Sequence, residues 1–202
     1  MRKANVMLKI LVVCPWLLLL VACNPLENDT KAISMLVIES LAGTDNNGNE
    51  ANFTQSDVQK VDKDSGRAFV TADIAKATLT ARTLDPSPKL GTPPYADIQL
   101  TRYVVTYTRS DGKNTPGIDV PYPIEGNFSA LIKVDVQSAV TFVVVKEVAK
   151  LEAPLISLVQ NRAEGVLNVT AKIDFYGHDL LNRNIKATGY MSVFFANYFD
   201  KE

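Results

Sequence analysis

The single histidine of the chain, His178, precedes Asp179 in the run GHDLLNRN. An imidazole beside a carboxylate is the pairing of a general base with the group that orients it. Such a pair needs a nucleophile or an activated water, and no serine here sits in G-x-S-x-G. His178 reads as a solvated turn residue, so no catalytic residue is assigned. A zinc site draws on several His or Cys ligands, which one histidine and two cysteines do not supply.

Oxygen donors are more plentiful. Asp45, Asn47, Asn49 and Glu50 lie in DNNGNE, and Asp62 and Asp64 in DKDSG. Oxygen-rich loops of this kind suit Ca²⁺. Neither run follows the EF-hand spacing: the sixth position is Glu50 when counted from Asp45, and Arg67 when counted from Asp62. Asn, Asp and Gly also fill turns because they tolerate left-handed backbone. Both loops stand as candidate Ca²⁺ ligands against that plainer reading, and no metal is firmly assigned. Four tyrosines raise a separate question. Tyr103 and Tyr107 share one face of a predicted strand, and Tyr95 and Tyr122 lie in flanking loops. Exposed together they would form a platform for a ligand or partner; packed across a sheet they would be core, the heavier of the two readings.

The elements that must position these residues are strands. Asp73 to Arg82 alternates Ala75, Ala77, Leu79 and Ala81 with polar neighbours, the period of a half-buried strand. Leu167 to Phe175 does the same, as does Phe128 to Val136. Ile33–Leu41, Ile98–Arg109, Ala139–Val148 and Ile185–Tyr198 complete a set of seven, with Ala139–Val148 apolar enough on both faces to be central. Leu151–Leu158 is limited to a helical turn by Pro154. Gly43–Arg67, the proline-rich Leu84–Tyr95 and Pro116–Gly126 read as long connections. The fold class is all-β: a single antiparallel sandwich over residues 33–202. It resembles immunoglobulin and fibronectin type III domains in the number and alternation of its strands, and D-x-x-N (Asp179 to Asn182) is similar to the last hairpin of bacterial Ig-like modules. The Cys…Trp…Cys signature of true immunoglobulin domains is absent, since the only Trp is Trp16.

The N-terminus carries its own signal. Arg2, Lys3 and Lys9 precede an apolar run, Ile10 to Ala22, too short to span a bilayer. A basic start, an apolar middle and small residues at the end make a secretory signal. Leu20-Val21-Ala22-Cys23 resembles the lipobox of bacterial lipoproteins. The resemblance implies residues 1–22 as signal peptide, an acylated Cys23, and residues 23–32 as lipidated cysteine and polar tether. Several acyl chains together hold a protein on a membrane stably. Asn24 in place of Asp implies, by the sorting rule of double-membrane bacteria, the outer rather than the inner membrane.

Cleavage would leave 18 Lys and Arg against 22 Asp and Glu, a net charge of −4 and no basic footprint for nucleic acid. With Cys14 removed and Cys23 acylated, no disulfide would form within the mature chain. The expected protein is a lipid-anchored, non-enzymatic structural or protein-interaction module of the cell envelope, with an envelope protein as partner. The alternative is a lipoprotein that binds a glycan, a peptidoglycan fragment or Ca²⁺.

Overall fold

A computed structural model describes residues 31–85, 93–160 and 165–198. The predicted signal, the lipobox residues Leu20, Val21 and Ala22, and Cys23 lie outside them. The described residues form β1 (Ser34–Thr44), β2 (Glu50–Ala51), β3 (Phe53–Asp57), β4 (Lys60–Val61), β5 (Ala68–Phe69), β6 (Asp73–Thr83), β7 (Ile98–Thr108), β8 (Ile124–Ile132), β9 (Ser138–Val145), β10 (Leu167–Asp179) and β11 (Asn184–Ala196). Two short helices, α1 (Glu147–Lys150) and α2 (Ile156–Gln160), lie between β9 and β10.

One sheet has the order β2-β1-β6-β9 and the other β3-β11-β10-β7-β8, while β4 and β5 form a separate hairpin. The alternation in β6 and β10 sets which residues face inward: Ala75, Ala77, Leu79 and Ala81 from one sheet meet Val169, Ala171, Ile173 and Phe175 from the other. An aromatic chain fills the middle, with ring centroids 5.3 Å apart for Tyr103 and Phe142 and 5.4 Å for Phe142 and Phe175. Edge-to-face contacts of this kind add to the area they bury.

Three expectations need correction. The described residues hold eleven strands rather than seven; each of the seven expected strands overlaps a long one, and of the extra four, β2, β3 and β4 arise within Gly43–Arg67, read as a connection, and β5 just after it. Of these, β3 is an edge strand that runs parallel to β11, from Phe53 beside Ser192 to Asp57 beside Ala196. It carries no apolar period because its inward residues are Thr54 and Ser56, both fully buried. Ala139–Val148 is not central: β9 lies at the edge of its sheet and stops at Val145, and Glu147 and Val148 enter α1. Finally, β8 begins at Ile124, inside a segment expected to be all loop.

Candidate interaction surface

His178 belongs to β10 rather than to a turn, paired with Asn184 on one side and Gln99 on the other. Its Nδ1 lies 3.0 Å from the backbone oxygen of Asp179. The Asp179 carboxylate is used elsewhere. Buried at the β10–β11 hairpin, it accepts the N–H groups of Leu181 and Arg183, each at 3.0 Å, and Arg183 Nε at 2.7 Å. Asn182 takes φ +60°, a conformation that asparagine tolerates better than most residues. The His–Asp neighbours in sequence are therefore not a base and its orienting carboxylate in space.

Tyr103 and Tyr107 are 6% and 4% exposed, so the two cannot join Tyr95 and Tyr122 in a surface platform. They bridge the sheets instead. The Val143 N–H donates to Tyr103 Oη at 3.2 Å, and Tyr107 Oη donates to the Val144 carbonyl at 2.6 Å. Burial, with the Asp73 charge nearby, pushes the Tyr107 phenol well above its ordinary range. Tyr95 and Tyr122 are exposed, at opposite ends of the sandwich.

In the first acidic loop, Asp45 accepts the N–H groups of Asn47 and Asn49 at 2.8 Å and the Asn49 side chain at 2.9 Å. These bonds, the Asn49 side chain first, hold its carboxyl below the usual range. Glu50 pairs with Lys76 rather than with the loop. In the second loop, Asp62 Oδ1 accepts the hydroxyl and the N–H of Ser65 at 2.6 and 2.7 Å, closing the tip of the β4–β5 hairpin. Asp64 is exposed beside it. Among the described residues no three His, Cys, Asp or Glu side chains converge as a metal group.

A charged cluster that sequence reasoning missed lies in the interior. Lys150 of α1 is fully buried, and its ammonium donates to the Asp57 carbonyl at 2.8 Å and to Asp73 at 3.0 Å. Asp73 also accepts the Ser56 hydroxyl at 2.6 Å. Desolvation raises the Asp73 carboxyl above its ordinary range, against the lowering pull of Lys150, Ser56 and Lys60. Lys150, Asp57 and Ser56 are shut away from solvent, so this cluster ties β3, β6 and α1 together and offers no surface to a substrate.

Exposed apolar side chains stand at both ends of the sandwich, with others elsewhere, such as Tyr190 on the face of β11. The far end carries the β7–β8 and β9–β10 connections. There Ile118, Tyr122, Val148, Leu151 and Val166 are exposed, Ile118 by 70%. Tyr122 and Val148 line a cleft of about 160 Å³ with Pro121 and Glu152. Ile118 and Val166 line a second, of about 550 Å³, with Arg109 and Ser157. Ala153 borders both, so the clefts adjoin. The near end carries Lys31 and the β6–β7, β8–β9 and β10–β11 connections, with Leu84, Tyr95, Val136, Leu180 and Leu181 exposed. Scattered apolar residues are ordinary on a surface, whereas contiguous ones mark contact sites. The sequence held a signal for both ends: leucine, isoleucine and valine in loop positions where polar turn residues usually stand.

Comparison with protein-family models, with curated proteins and with solved structures returns no match. No helix among the described residues is long and apolar enough to cross a membrane.

Proposed function

We propose that this chain is a lipid-anchored lipoprotein of the cell envelope, held by Cys23 on the outer membrane. It acts without catalysis, as a structural or protein-interaction module. The observation that carries the contact role is the far end, where exposed Ile118, Tyr122 and Val148 surround two adjoining clefts. Loops displayed on a rigid sheet scaffold are the usual place for recognition. Strand order supports an immunoglobulin-like sandwich: among the long strands, the first, second and fifth share one sheet, and the third, fourth, sixth and seventh the other.

Photocrosslinking in intact cells tests the interaction. Crosslinkers at Val148 and Ile118 should capture one and the same envelope protein, and a crosslinker at Tyr190, exposed on the face of β11, should not. Equal capture from all three sites, or none from the far end, would overturn the reading.

A ligand-binding role is favoured by one feature alone, the cleft of about 550 Å³ with Arg109 and Ser157 in its wall. That volume is within the range of small-molecule sites. A ligand bound there would raise the melting temperature in proportion to RT ln(1 + [L]/Kd). Glycans, peptidoglycan fragments and Ca²⁺ are the panel to titrate.

A further inference from the structure

The near end of the sandwich gathers the start of the described chain and three inter-strand connections. Arg183 Nη1 donates to the Lys31 carbonyl, Leu84 N–H to the Ile33 carbonyl at 2.9 Å, and Leu180 N–H to the Tyr95 carbonyl at 3.2 Å. The β8–β9 connection joins through Val134 N–H on Asp97 Oδ1, 3.0 Å. Each connection displays an apolar side chain: Leu84 and Tyr95, Val136, and the pair Leu180-Leu181.

That leucine pair is held in place. A buried carboxylate, Asp179, accepts two N–H groups of the turn, and Arg183 clamps both Asp179 and the incoming chain at Lys31. The rigid backbone leaves Leu180 and Leu181 50% and 53% exposed at the tip, where a polar residue would serve a turn equally well. Burying a leucine in an apolar medium is favourable, and leaving two in water at the end of a fixed hairpin is a standing cost.

We propose that this end docks on a lipid surface, with Leu180 and Leu181 entering the headgroup layer and Tyr95 beside them. The proposal rests on the reading of Cys23 as acylated. Seven residues lie between Cys23 and Lys31, and the eight steps from one to the other, at about 3.5 Å each when extended, reach no more than about 28 Å. The sandwich is longer than the tether: β11 alone, 13 residues at about 3.3 Å each, runs about 43 Å. The near end is therefore the part of the domain that an acylated Cys23 keeps beside the bilayer. Aromatic side chains such as Tyr95 favour that interface. Among the described residues, the exposed loop charges Lys31 and Lys133 stand against Asp85 and Asp135, so the attraction argued here is the apolar one.

The only tryptophan, Trp16, lies in residues 1–22, so a Trp introduced later in the sequence would be the sole indole of the cleaved chain and can serve as reporter. The full-length gene carrying L181W, or Y122W as the far-end control, is expressed in its native membrane. The acylated product is placed in phosphatidylcholine vesicles with and without brominated acyl chains. Bromolipid should quench L181W strongly and Y122W little, and added salt should not change the result. An acylated protein in which L181W escapes quenching, or is quenched no more than Y122W, overturns the docking while leaving the anchor intact. A product whose mass carries no acyl groups removes the anchor, and the proposal with it. Shielding of L181W that depends on protein concentration without lipid would assign a second copy to this face. Shielding in native envelopes without bromolipid quenching would assign another protein. Either result overturns the proposal.

Discussion

Replacing Lys150 by Met keeps an unbranched side chain in its buried slot and removes the ammonium. Asp73 is then left with the Ser56 hydroxyl, and the Asp57 carbonyl loses its donor. Breaking a buried pair from one side costs about 3–5 kcal/mol, because the remaining charge stays desolvated. For a domain of this size each kcal/mol moves the melting temperature by about 2–4 °C, so K150M should melt roughly 6–20 °C below the parent. The sign of the pH dependence follows from Asp73. Desolvation already holds its carboxyl above the ordinary value, and removal of Lys150 takes away a lowering influence. A carboxyl whose folded pKa is raised binds a proton more tightly in the folded state. Stability then falls as pH rises from the unfolded value, about 3.9, through the raised folded value. The K150M deficit should accordingly be larger at pH 7 than at pH 5, and K150M/D73N should lose most of that pH dependence. Urea unfolding at the two pH values measures both effects. A deficit under about 1 kcal/mol, equal at pH 5 and pH 7, would refute the pairing argued for Lys150 and Asp73.

Three further substitutions probe the scaffold. Tyr107→Phe leaves the buried Val144 carbonyl without its donor and should cost about 1–3 kcal/mol in urea unfolding, whereas Tyr122→Phe at the surface should be silent. Gly126→Ala would drive a methyl group into the Tyr103 ring, so differential scanning calorimetry should register a loss of about 1–3 kcal/mol. Asn182→Val places a β-branched residue at φ +60° and should cost about 1–2 kcal/mol in urea unfolding, while Asn182→Gly should be tolerated.

Much of the sandwich is legible in its alternation, because Ala75 to Ala81 and Val169 to Phe175 face a core that only apolar side chains fill. Where the buried face is polar, that signal vanishes. Thr54 and Ser56 made β3 look like loop, and nothing in VAKLEAP marks Lys150 for burial until α1 folds against Asp73. Burial of Tyr103 and Tyr107 was the heavier expectation, but their grip on β9 depends on two sheets meeting, which local sequence does not encode. His178 and Asp179 mislead for a related reason. Neighbours along a strand point to opposite faces, so adjacency in sequence separated them in space. The acidic loops place Asp45 and Asp62 as acceptors within their own turns, an outcome that composition leaves open. Leu180, Leu181 and Ile118 were visible as apolar residues in turns, yet only the strand order assigns them to two separate ends.

The central claim is that Cys23 fastens this sandwich to a membrane. Intact-mass spectrometry of the native chain, extracted from the membrane fraction, tests it most directly. The account predicts a polypeptide starting at residue 23 with fatty acyl mass on that first residue, and predicts that C23S loses both the added mass and the membrane association. A chain recovered from the aqueous phase with an unmodified Cys23 would contradict it.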